Sequence, residues 1–250
     1  MHTRYTPSLL VVALLPFFPL LTSAQETDLN SILRMHRRAQ ADVTKLYGAD
    51  SLRLQGDTDQ QGTSYSFTLF KKSPNLLRYE IAYKERNFVV IFDGSDGYFW
   101  SPDEADRPAE KATGFMAQML RQEAWFEGPL LSASSRGFSA DYKGKVELPG
   151  HSRPLYHIRL TSTRGEELMD IYLDSVSALE VRRDFRPSEG LPPLVTRFED
   201  YRTVDGFSIP FLIENSYEGE VISTTRVRDA SLNAGILGFF FKLPKGKSVQ

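Results

Sequence analysis

The chain has 250 residues, with 30 basic and 32 acidic side chains, a formal net charge of −2 and no cysteine. A near-balanced charge excludes a general nucleic-acid binder, which needs a basic excess or patch. The lack of cysteine excludes disulfides and cysteine-linked lipid, so stability has to come from a hydrophobic core, which a chain of this length can build as one domain.

Residues 1–24 read as a cleaved secretory signal. Arg4 gives the charged start, Leu9 to Leu21 is apolar apart from Pro16 and Pro19, and Thr22-Ser23-Ala24 is a small-residue cleavage site before Gln25. A retained N-terminal anchor is the alternative. The run is too short and too interrupted by proline for a comfortable membrane span, and no later segment is apolar for 18 residues or more. A single domain is expected over 25–250.

A helix is predicted from Thr27-Asp28 to Gly48. Leu29, Ile32, Leu33, His36, Ala39, Gln40, Val43 and Leu46-Tyr47 form its inner stripe; Arg34, Arg37, Arg38 and Lys45 lie opposite. At about five turns it packs on a sheet. Strand signals follow. Ser51 to Gly56 is short, and Asp57 to Gly62 reads as a polar hairpin loop. That loop resembles the front half of a calcium loop, but Thr68 stands where a bidentate Glu is required. In Thr63 to Lys72, Tyr65, Phe67 and Leu69 alternate with Ser64, Ser66 and Thr68. In the next strand Leu77, Tyr79, Ile81 and Tyr83 alternate with polar residues. Phe88 to Phe92 is apolar throughout, and Tyr98-Phe99-Trp100 is a short strand ended by Pro102.

Asp103 to Lys111 reads as a surface loop. Helical spacing then takes over: Phe115, Met116, Met119, Leu120, Trp125, Phe126, Leu130 and Leu131 lie in Ala112 to Leu131, with a break near Gly128-Pro129. Strands resume over Ala140 to Leu148, Leu155 to Thr163, Glu167 to Asp174 and Ala178 to Phe185. After a Pro-rich link, Leu194 to Tyr201 opens a hairpin that returns through Asp205-Gly206, a pair suited to a type I′ turn. Phe207, Ile209, Phe211 and Ile213 share one face of its second strand, and Pro210 calls for an edge, a bulge or solvent at its nitrogen. Glu220 to Ala230 is a last strand, followed by the closing Gly235 to Phe241 segment. Short links make neighbours antiparallel. The fold class is therefore mainly β (α+β): a curled antiparallel half-barrel of about 10–11 strands, with an N-terminal helix and a helical lid or plug.

Catalytic and metal signatures do not emerge. His36, His151 and His157 lack metal-ligand spacing, and Gly94-Ser95-Asp96-Gly97 lacks the spacing of a nucleophile elbow. A carboxylate dyad of the glycosidase kind is not excluded, but nothing singles one out. No cofactor, metal or catalytic residue is expected. The inward face is instead rich in aromatics: Tyr65, Phe67, Tyr79, Tyr83, Trp100, Tyr156, Tyr172, Phe198, Phe207 and Phe211. These either fill a core or, with few helices to plug a curled sheet, line a pocket.

The pattern resembles the LolA/LolB-like superfamily, in particular its outer membrane lipoprotein-sorting protein group. The residues that carry it are Asp200-Tyr201-Arg202, Val204-Asp205-Gly206, Ile209-Pro210, Ser223 to Val227, Asn233 and Phe241 to Pro244. Earlier, Phe92-Asp93-Gly94 and Tyr98 to Pro102 match the family's turn and short strand. The resemblance implies a half-open barrel with a helical lid over an apolar cavity, in the periplasm, binding the acyl chains of a lipid or lipoprotein for transfer towards the outer membrane. A membrane-associated donor or acceptor protein is the further partner expected. The cavity wall is assigned to Tyr65, Phe67, Tyr79, Trp100, Phe207, Ile209 and Phe211. The lid is assigned to Phe115, Met116, Met119, Leu120, Trp125 and Phe126, where methionine suits an adaptable apolar surface. A periplasmic module that senses a lipid or partner without transporting it is the alternative, and an envelope hydrolase ranks behind both.

Overall fold

A computed structural model describes residues 28–250 apart from 43–44, 46–47, 105 and 164–167. The signal assigned to 1–24, and Val43, Leu46 and Tyr47 of the first stripe, lie outside the described residues. So does the Arg164-Gly165 turn.

Helix α1 spans Leu29–Gln40, with Asp28 as N-cap accepting from the Ser31 backbone N–H at 2.7 Å. It is three turns long rather than five. Ala41 is extended and forms a bridge with Phe207, and that pairing ends the helix. Strands β1 (Ser51–Gln60), β2 (Thr63–Lys72), β3 (Leu76–Tyr83), β4 (Arg86–Phe92), β5 (Gly97–Trp100) and β6 (Glu110–Lys111) follow. Helices α2 (Gly114–Ala124) and α3 (Gly128–Leu131) come next, then β7 (Phe138–Val146), β8 (Leu155–Ser162), β9 (Leu168–Asp174) and β10 (Glu180–Arg186). Last are β11 (Leu194–Val204), β12 (Phe207–Tyr217) and β13 (Glu220–Leu232), with a 3-10 turn over Gly238–Phe241.

The chain is thus mainly β, with 13 strands rather than 10 or 11. Part of the difference is β6, which lies in the expected surface loop and is paired along its outer edge by the C-terminal residues: Ala109 exchanges backbone hydrogen bonds with Ser248 and Gln250. The expected loop at Asp57 to Gln60 is also strand. Its carboxylates find partners on β13, Asp57 with Arg228 at 3.1 Å and Asp59 with Arg226 at 2.9 Å. The reversal falls instead on Gln61-Gly62, both at positive φ.

The strands form one antiparallel sheet in the order β6-β5-β4-β3-β2-β1-β13-β12-β11-β10-β9-β8-β7. Two meanders meet at the β1–β13 pair, and β6 and β7 are the two edges. The segment between β6 and β7 therefore has to travel from one edge of the sheet to the other, and it carries α2 and α3. Curling is required by contact. Glu123 on α2 meets both Lys71 on β2 and Arg183 on β10, five strand spacings apart, or about 24 Å if the sheet were flat.

One face is inside the curl. Leu54, Leu69, Tyr79, Val90 and Phe99 form a paired row across it, and Ala140, Leu160, Met169, Phe185 and Leu194 form another. All of the second row but Leu194 belongs to the main core, where Ile158 and Ile171 cluster with Ile32 of α1 and Leu130 of α3. The outer face of β8–β10 is polar and knit by ion pairs. Asp170, 2% exposed, accepts from His157 at 2.7 Å, Arg159 at 2.8 Å and Arg186 at 2.9 Å.

The β11–β12 turn is as its sequence demands, with Asp205 at φ 51° and Gly206 at φ 87°. Gly206→Val is expected to lose about 2 kcal/mol of unfolding free energy, since a β-branched residue resists the left-handed region. Chemical denaturation checks it, and an unchanged midpoint would remove the turn's role in register.

Candidate functional site

The concavity closes at the place where β12 and β13 part. Their pairing covers Leu212 to Tyr217 of β12 only, while β13 beyond Arg226 continues along β1. The tip of β12, with Pro210 in it, is not paired with β13, so the missing proline N–H costs no bond in that ladder. The end of α1 fills the wedge: Ala41 bridges Phe207, and the Ser208 hydroxyl donates to Ala39 O at 2.7 Å. The filling is incomplete. A cavity of about 200 Å³ is left between α1, the Phe126-Glu127-Gly128 link and the hairpin.

Of the assigned wall, Phe207 and Ile209 line this cavity, with Ser208, Pro210, Phe198 and Tyr201 from the same hairpin. Both faces of the hairpin tip therefore contribute, not one. Phe67 and Phe211 belong to a packed cluster with Leu54, Ile209 and Val227, and Tyr79 stacks on Phe67 at 5.2 Å between ring centroids. Tyr65 lies on the same inner face through its pairing with Thr58 and is half-buried. Tyr83 follows Ile81 on that face too. One residue of the assigned wall and one of the other expected inward aromatics are elsewhere. Trp100 pairs with Val89, in a row that continues through Glu80 and Thr68 on the outer face. There it belongs to a satellite cluster with Ile91 and Ala109, and the Arg78 guanidinium lies between its ring and that of Phe240. Tyr172 is also outer, stacked on His157 at 4.8 Å.

The lid residues divide by position. Leu120 reaches Gly97, where an added Cβ would stand 2.5 Å from the Leu120 Cδ1 atom; only glycine lets α2 approach the sheet so closely. Met119 packs on the main core. Phe115 and Met116 are 44% and 47% exposed, although the Phe115 ring also lies 6.5 Å from that of Phe185. Phe126 lines the cavity, and Trp125 lies outside it against the Arg136 guanidinium at 5.3 Å. A 200 Å³ space compares with the 150 Å³ void that holds a benzene ring. It takes a molecule of about that size or a short piece of chain.

Charged residues line the same interior, and none was singled out from sequence. Arg183, on the inner face of β10, makes two bonds to Glu180 at 2.7 and 3.1 Å, and its third nitrogen faces Glu123 at 3.5 Å. Lys71, on the inner face of β2, faces Glu123 at 3.7 Å. Tyr201 donates to Glu180 O at 2.7 Å. Burial pushes the Lys71 ammonium down and the Tyr201 hydroxyl up. Burial would raise Glu123, but Lys71, Arg183 and Arg136 outweigh it and hold the carboxyl below the usual range. Each of the three sits one step along an apolar pattern: Lys71 after Tyr65, Phe67 and Leu69, Arg183 two before Phe185, and Glu123 four after Met119. That break in each pattern was the available signal.

His36 is the interior histidine that sequence suggested. It is 1% exposed, with Nδ1 bonded to Ala178 O at 2.8 Å and Nε2 to Gln40 at 2.9 Å. Burial holds its pKa below the ordinary imidazole value. The unfolded chain then takes up the proton first, so this stabilisation is complete above about pH 6.5 and is lost as pH falls below it. The melting temperature should drop between pH 7.5 and 5.5, and less so in His36→Gln; equal slopes in both proteins would refute the assignment.

Among the described residues no group of three or more histidine and carboxylate side chains is placed to hold a metal, and no helix is long and apolar enough to cross a membrane. No family model and no curated protein matches the chain by sequence. Solved structures do match in shape. A DUF1329 family protein from Desulfovibrio piger superposes with a TM-score of 0.58 at 12% identity, over 85% of this chain and 96% of that one. A LolA superfamily protein from Nitrosomonas europaea gives 0.58 at 15% identity, over 86% and 97%. A domain described as an outer membrane lipoprotein-sorting protein, from Vibrio parahaemolyticus, gives 0.57 at 10% identity, over 84% and 94%. The chain has the LolA-like fold.

Proposed function

We propose that this LolA-like chain is a periplasmic carrier that shelters the acyl chains of a lipid or lipoprotein beneath α2 and α3 and passes them towards the outer membrane. The observation that carries the reading is the pair of helices laid across the apolar face of an unclosed sheet, with a residual cavity beside them. The lipoprotein-sorting description of the Vibrio parahaemolyticus domain supports it. So does the energetics: an acyl chain of about 16 carbons gains roughly 12 kcal/mol on leaving water, before entropic costs. Phe115 and Met116, apolar and exposed at the start of α2, give the lid a surface on which a chain first lands. The interior polar groups are engaged with one another rather than aligned on a reacting centre, which favours binding over catalysis.

Lipid extraction and mass spectrometry of the protein purified from periplasm should recover acyl lipid at near one equivalent. Recovery of none would count against the carrier. Delivery of a labelled lipoprotein between vesicles separates a carrier from a periplasmic sensor, which binds without delivering.

A further inference from the structure

An acyl shelter has no need of buried charge, yet Lys71 and Arg183 lie on the inner face of this sheet, with the more exposed Glu123 of α2 set against both. Removing such charges from water is costly, and an apolar replacement is often more stable. Their geometry is uneven. Arg183 is held firmly by Glu180, at 2.7 and 3.1 Å. Glu123 instead stands between the two cations with one oxygen towards each, at 3.7 and 3.5 Å. Those separations exceed the roughly 2.7–2.9 Å of a tight charge-assisted bond. Glu123 also keeps 48% of its side chain accessible, against 15% and 14% for Lys71 and Arg183, so it is the member of the three that solvent reaches.

The carboxylate also comes from the lid. Lys71 and Arg183 belong to the sheet, whereas Glu123 belongs to the last turn of α2. When α2 leaves, the Lys71 ammonium and one Arg183 nitrogen lose their shared anion. Lys71 then has lost its ion-pair partner and Arg183 keeps only Glu180, a surplus of one positive charge among these three groups where the closed form, with Glu123, has none. A ligand with an anionic head restores the balance; a neutral head does not.

We propose that Lys71 and Arg183 form the head-group site for an acyl lipid with an anionic head, a carboxylate or a phosphate, and that Glu123 occupies this site until the ligand displaces it. The assignment rests on the carrier reading and adds a selectivity to it. Binding of an anionic lipid and release of the lid become one exchange, because the head takes the place of the carboxylate that held α2 down. The acyl chain then runs from Arg183, which borders the cavity, past Phe198 and Ile209.

The test measures displacement of a neutral fluorescent acylglycerol by palmitic acid, by palmitoyl lysophosphatidic acid and by monopalmitoylglycerol. Wild type should bind the two anions at least tenfold more tightly than the glyceride. Lys71→Met should abolish that preference and Lys71→Arg should keep it. Glu123→Gln, which loosens α2 and vacates the site, should tighten all three lipids and the two anions several-fold more than the glyceride, a gain that a misfolded protein cannot produce. Either order of the two anions supports the site and names its head group. Equal affinity for all three lipids in wild type and variants would overturn the head-group site and leave the carrier standing. No binding of any acyl lipid would overturn both.

Discussion

Asp170→Ala should lower the unfolding free energy by about 2–3 kcal/mol, since three hydrogen bonds lose their carboxylate acceptor while Arg159 and Arg186 keep part of their side chains in water. Asp170 is enclosed on the outer face of β9, and His157, Arg159 and Arg186 all point at it. Truncation removes their common acceptor and sets two guanidinium groups against each other. Asp170→Asn keeps the shape and loses the charge, so it should cost less but still more than 1 kcal/mol. The same site sets an acid limit. Burial would raise this carboxyl, yet hydrogen bonds from His157, Arg159 and Arg186 hold it far below the usual range. Its contribution is therefore fully present above about pH 4 and is lost as pH falls further. Urea titrations of wild type and Asp170→Asn between pH 7 and 3 check this, and curves that stay parallel down to pH 3 would contradict it.

Gly56→Ala is the second large effect. Gly56 sits where the β1–β13 register shifts, and an added Cβ would stand 2.1 Å from Arg226 O and 2.9 Å from the Phe67 ring. The first neighbour is backbone and cannot rotate away. The bulge that joins the two meanders has to open, at about 3 kcal/mol. The midpoint of urea unfolding should fall accordingly, whereas a change under 1 kcal/mol would mean that the bulge accommodates a side chain.

Much of the sheet was legible because it is half-buried. Tyr65, Phe67 and Leu69 alternate with polar residues, and so do Leu77, Tyr79 and Ile81, so period two fixed their inner face. Trp100 was misplaced because Tyr98-Phe99-Trp100 is aromatic on both sides. Its outer face is covered by the turn at Gly238–Phe241, a contact across more than 130 positions that no local pattern reveals. Asp57 to Gln60 read as a loop because its acidic residues suit one, and they are strand only beside Arg226 and Arg228. The five-turn helix failed at Ala41 for a similar reason: β12 has a free edge there. Lys71, Arg183 and Glu123 were visible as breaks in apolar patterns but meaningful only once the curl brought β2, β10 and α2 together.

Acyl chains are proposed to enter only when α2 leaves the sheet. A chain with no cysteine allows a direct measurement. Gly97 and Leu120 face one another across the α2–β5 contact, so a Gly97→Cys, Leu120→Cys double variant, in which the shorter cysteine removes the Leu120 methyl that a Gly97 Cβ would strike, serves to cross-link α2 to β5. The variant is compared oxidised and reduced for uptake of a fluorescent fatty-acyl probe. Uptake should be lost in the oxidised form and restored by reductant. Equal uptake in both forms, with the cross-link verified by mass spectrometry, would contradict it.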